Sequence, residues 1–87
     1  MSRFLFYLEY DGKRTLSNTY ETPVDEVHAD GVLSAISLFA AKNGLKKEEN
    51  ESLENGNFRV FYIKKGLFGR SKEVVYFVKQ DDSEFDS

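Results

Sequence analysis

The chain has no cysteine, no tryptophan, one proline and one histidine. Without cysteine there is neither a disulfide staple nor a thiolate metal site. His28 has no recognisable partner for a triad or a histidine metal centre, so it reads as a polar residue at a strand end. No G-x-S-x-G nucleophile elbow is present, and the G-K-[ST] ending of a P-loop is missing. The Asp/Glu clusters fall in loop and tail segments, whereas paired catalytic carboxylates need rigid positions in a cleft. These absences argue against an enzyme and against any metal or cofactor.

Long apolar runs are missing too. Nothing approaches the ~18 residues that cross a bilayer, so no membrane partner is expected. The stretch from Met1 to Tyr10 is apolar, but Glu9 and Asp11 interrupt it and no small-residue cleavage site follows, so it reads as a strand rather than a signal peptide. The expected compartment is the cytoplasm. An excess of positive charge is also lacking: the net charge is −3. A protein that coats DNA would be basic, because phosphate neutralisation supplies most non-specific affinity.

What is present suffices for one domain. A chain of 87 residues hides a little over ~60% of its unfolded surface. Eight Phe and five Tyr supply large buried areas. Residues 3–10 alternate as a strand, with Phe4, Phe6, Leu8 and Tyr10 on one face and Arg3, Leu5, Tyr7 and Glu9 on the other. Asp11-Gly12 marks a turn, after which the polar residues 13–22 could return as a strand. Pro23 breaks that run, and residues 24–29 read as extended, with Val27 and Ala29 inward.

Asp30 is a candidate N-cap for a helix over 31–43, whose stripe is Val32, Leu33, Ile36, Phe39 and Ala40, with Gly44 at the left-handed stop. Residues 46–57 read as a charged connection with room for a short helical turn. Residues 58–65 and 72–80 are two strong β runs joined by a loop from Gly66 to Ser71. The expectation is an α+β domain over residues 1–80: a small antiparallel sheet with one helix packed on one face, in the order β-β-α-β-β. The acidic segment 81–87, anchored only by Phe85, is expected to be a mobile tail.

Two features point to binding. One helix covers one sheet face, yet both faces of the β runs carry large apolar groups. The second face therefore invites a partner or a second copy, with a twofold homodimer as the simplest solution. The other feature is a run of cations without acids: Lys64, Lys65, Arg70 and Lys72, around a Leu67-Phe68 loop tip. Hairpin pairing would gather all four at one end of the sheet as a rim around an apolar anchor. The G-x-x-G from Gly66 to Gly69 is the pattern that clamps nucleic-acid backbone in KH domains, but there it joins two helices and here two strands, so that family is not carried over. The stretch 57–63 has some of the aromatic character of an RRM strand but lacks that fold's second helix.

The reading is a non-enzymatic interaction module that binds a protein partner through the second sheet face and the basic hairpin. The alternative is a nucleic-acid-binding protein using the same four cations. Small acidic domains of this kind occur among phage- and mobile-element-encoded inhibitors of host machinery, an analogy of size and composition.

Overall fold

The computed structural model describes residues 1–15, 21–66 and 69–81. The elements are β1 (Ser2–Tyr10), β2 (Asp25–Ala29), α1 (Val32–Asn43), β3 (Leu45–Ser52), a 3-10 turn (Glu54–Gly56), β4 (Phe58–Lys65) and β5 (Ser71–Gln80). All strand pairs are antiparallel, and the sheet order is β2-β1-β5-β4-β3. This is a small α+β fold, with the expected hairpin of β4 and β5 laid beside β1.

Three local expectations shift. Among the described residues the return strand beside β1 is Asp25–Ala29: the chain turns at Asp11, makes a bridge between Tyr10 and Thr15, and Val24 N–H donates to Phe6 O where β2 begins, while residues 16–20 of the expected return strand 13–22 lie outside the described residues. Residues 45–52 are a fifth strand, not a charged connection, because the outer edge of β4 offers backbone partners along its whole length. The short helical turn follows at Glu54–Gly56. Asp81, placed with the tail by sequence, continues the pairing: its N–H donates to Arg3 O and its carboxylate accepts from Arg3 Nη2 at 2.9 Å.

Because β2 and β3 lie on opposite edges, α1 must cross the sheet to join them. Phe39 sets its rotation. The ring stacks on Phe6 with centroids 4.1 Å apart and meets Tyr76 edge-on at 4.8 Å. The Tyr62 hydroxyl donates to Ile36 O at 2.9 Å, tying β4 to the middle of the helix. Ala35, Ile36, Phe39 and Ala40 close the core over Phe4, Phe6, Val60, Tyr62 and Val78. Leu33 is not among them. It lies about 120° around the helix from Phe39 and stays 60% exposed. Asp30 is not the N-cap either. The cap is Gly31, whose carbonyl accepts from Ala35 N–H, and no side chain caps this end. At the other end Gly44 takes the left-handed conformation as expected, φ 64° and ψ 36°, and its N–H returns to Ala40 O.

The second face of the sheet is less bare than its composition suggests. Leu5 and Tyr7 are only 9% and 8% exposed within one chain. Arg59 explains part of this. It stands opposite Phe77 on β5 yet reaches Glu9 on β1, with Nε and Nη2 donating to the two carboxylate oxygens at 2.8 and 3.2 Å, while Nη1 donates to Glu51 on β3 at 3.1 Å. With neighbouring strands about 4.8 Å apart, its stem must lie over the β5 side chains to make those bonds. A bulge after Leu8 brings Glu9 within reach. At the far end Arg3 bridges Asp81 and Glu26. Guanidinium stems thus cover apolar surface that sequence reasoning left for a partner.

Candidate functional site

The register of β4 and β5 places Lys64 directly opposite Lys72 and Lys65 opposite Ser71. Since side chains alternate, Lys64 and Lys72 emerge on the helix-bearing side of the sheet and Lys65 on the other. Arg70 sits in the loop, and all four cations are exposed. The loop closes through Gly66 N–H donating to Arg70 O. Only glycine fits at 66, because a Cβ there would lie 2.9 Å from that same carbonyl oxygen. Leu67 and Phe68, the expected apolar tip, lie outside the described residues.

The two facing lysines flank a hollow of about 180 Å³. Its floor is apolar: Leu8, Val74 and Tyr76. Its rim is Asp11, Lys64, Gly66 and Lys72. Asp11 is there because β1 runs antiparallel to β5, so the turn leaving β1 arrives at the hairpin end. Its carboxylate accepts the backbone N–H groups of Arg14 and Lys13 at 3.0 and 2.9 Å, which hold its pKa below the usual 3.8. Gly12, at φ +95°, lets this turn press on the Lys72 stem: a Cβ would stand 3.0 Å from Lys72 Cδ. Burial, and secondarily the Asp25 carboxylate, push the Tyr76 hydroxyl pKa up.

Chemically, two ammonium groups on directly opposed strand positions repel one another. An anion between them removes that repulsion, and an apolar floor beneath favours one carried on a hydrophobic or aromatic body. Asp11 restricts the choice, since it repels densely charged ligands. Sequence reasoning found the cations but missed Asp11, Leu8 and Tyr76. The available signal was topological: a strand paired antiparallel to β5 must bring its outgoing turn to this corner.

His28 behaves as a plain surface residue. Its Nε2 lies 2.8 Å from Glu26 Oε2, and both side chains are about half exposed. Among the described residues no group of three or more His, Cys, Asp or Glu could hold a metal ion. No helix among them is long and apolar enough to cross a membrane.

Comparison with protein-family models, with curated proteins and with solved structures finds no match to this chain.

Proposed function

We propose that the protein is a non-enzymatic interaction module whose basic corner receives an acidic segment of a protein partner. The observation that carries this reading is the opposition of Lys64 and Lys72 over an apolar hollow. Like charges on directly opposed strand positions destabilise a sheet, and elsewhere Arg3 and Arg59 are set against carboxylates. A carboxylate side chain entering between the two ammonium groups, with an apolar neighbour seated on Leu8, Val74 and Tyr76, satisfies both parts of the site. Arg70 is available to fork a second carboxylate. An inhibitor of cellular machinery of the phage or mobile-element kind would use such a corner to occupy a protein surface.

A nucleic-acid ligand would use the same cations. Against it stand the net charge of −3 and the Asp11 carboxylate on the rim. Salt dependence separates the two. A partner held through two or three ion pairs and apolar contact loses affinity gently with salt, whereas phosphate neutralisation gives a steep log–log slope of about −0.7 to −0.9 per phosphate. Measured on whichever macromolecule co-purifies with the tagged chain from its native cell, a slope of magnitude 4 or more, removed by nuclease, overturns the protein reading.

A further inference from the structure

The hairpin end of the sheet is cationic, and the opposite end leads into an acidic segment. Lys64, Lys65, Arg70 and Lys72 gather at the first. At the second, Asp81 is held by Arg3. Residues 82–87 follow it; they lie outside the described residues, and their sequence is DSEFDS. Three of those six are acids and none is a cation, so the segment is opposite in sign to the corner. Of the eight phenylalanines in the chain, only Phe85 stands between two acids, Glu84 and Asp86.

That composition matches what the corner offers. The hollow has an apolar floor of Leu8, Val74 and Tyr76 and a rim that includes Lys64 and Lys72. A phenylalanine with an acid on each side brings a ring for the floor and a carboxylate for each ammonium. Ser83 and Ser87 on the next positions dilute the charge, which suits a rim that also holds Asp11.

The corner of the same chain is out of reach. Asp81 lies nine residues beyond Lys72 along the line of β5, about 30 Å at the rise of a strand. Phe85 is four residues past Asp81 and, fully extended, travels no more than about 14 Å from it. The helix also stands between the two ends on this face, with Phe39 seated on Phe6 and Tyr76. A second copy of the chain is under neither restriction.

We infer that the basic corner takes the 84–86 segment of a second copy, with Phe85 on the apolar floor and Glu84 and Asp86 at Lys64 and Lys72. The inference rests on the reading of the corner given above and adds a competitor to it. An acidic segment of another protein must displace the segment of a second copy, so partner binding weakens as the concentration of the chain rises. The contact is heterologous, segment to corner, and the opposite charge of the two ends steers the encounter.

Two complementary variants of the full chain test this. Glu84→Gln, Phe85→Ala, Asp86→Asn removes the segment and keeps the corner, whereas Lys64→Gln, Lys72→Gln removes the corner and keeps the segment. With the first ¹⁵N-labelled and the second added unlabelled, the amides of Lys64, Gly66, Lys72, Val74 and Tyr76 should shift saturably, and about half-molar salt should reduce the shifts. Adding the unlabelled form of the first variant to itself should leave them unmoved. The parent should show the same shifts on concentration from about 20 µM to about 1 mM. No shift on mixing, shifts centred elsewhere, or parent shifts independent of concentration would each overturn the inference. A short acidic peptide bearing one phenylalanine, added to the same labelled variant, separates the two readings. If it shifts the corner and the second variant does not, only this inference falls; if neither does, the reading of the corner falls with it.

Discussion

Two charged regions of one sheet obey opposite rules. Across the second face, both arginines are set against carboxylates from elsewhere in the chain: Arg59 against Glu9 and Glu51, Arg3 against Glu26 and against Asp81, just beyond β5. At the hairpin end, Lys64 is set against Lys72, and Lys65 against a serine. The first arrangement fastens four strands and shields the rings beneath. The second sets like charge against like and stands over a hollow. Charge that serves stability is paired within the chain, and it is the charge left facing its own sign that the proposed function assigns to a partner.

The comparison presupposes the covered face, whose loss has the largest effect. Ile36→Ala should cost ~2–5 kcal/mol, because Ile36 is fully buried on the sheet-facing side of α1. In a urea melt that loss threatens a domain of this size, and a variant that melts like its parent would mean that the helix does not seal this face. Arg59→Ala comes next, with an expected loss of about 1–3 kcal/mol from the charge-assisted bonds to Glu9 and Glu51 and from the stem over β5. Melting unchanged by this substitution would erase the first half of the comparison.

Alkali tests the covered face without mutation. Burial raises the Tyr62 pKa, with a further contribution from Tyr76, and burial raises the Tyr76 pKa as well. A raised folded-state value means that the unfolded chain loses its phenolic protons first. Stability is then intact below the ordinary value of 10.0 and declines as pH climbs above it toward the folded-state values. Urea midpoints should hold from neutrality to pH 9 and fall beyond pH 10, and Tyr62→Phe should blunt that fall. A midpoint flat to pH 11 would contradict the burial of both hydroxyls.

The smallest effect has the opposite sign. Lys72→Glu should stabilise the fold by ~0.2–1 kcal/mol, since it turns a repelling cross-strand pair into an attracting one. Half-molar salt should shrink that gain by screening. A loss of stability on this substitution would show that Lys72 is held by structural contacts that outweigh its repulsion with Lys64.

Much of this was legible from the residues. Alternation and β-branching marked β1, β4 and β5, and apolar spacing with Gly44 marked α1. The strand β3 was not legible, because LKKEENES has no apolar alternation. An edge strand can be specified by its neighbour's backbone while its own side chains guard against further pairing, and charges do that. The shielding of the second face was equally hidden: Arg59 and Glu9 are 50 residues apart, and no local pattern announces their meeting. At the candidate site, the four cations were visible as a run without acids. The hollow between two of them was not, because it depends on Asp11 and Tyr76 arriving from other strands.

The central claim is that the Lys64–Lys72 corner takes an acidic segment with an apolar side chain. The most direct measurement is amide chemical-shift mapping of the ¹⁵N-labelled chain, titrated with a short acidic peptide bearing one phenylalanine. A single-stranded oligonucleotide of equal charge serves as the competitor. The account expects shifts concentrated at Lys64, Gly66, Lys72, Val74 and Tyr76, abolished in the Lys64→Gln, Lys72→Gln double variant, whose melting remains at or above the parent's. Peptide shifts centred elsewhere, or a tighter response to the oligonucleotide at this corner, would contradict it.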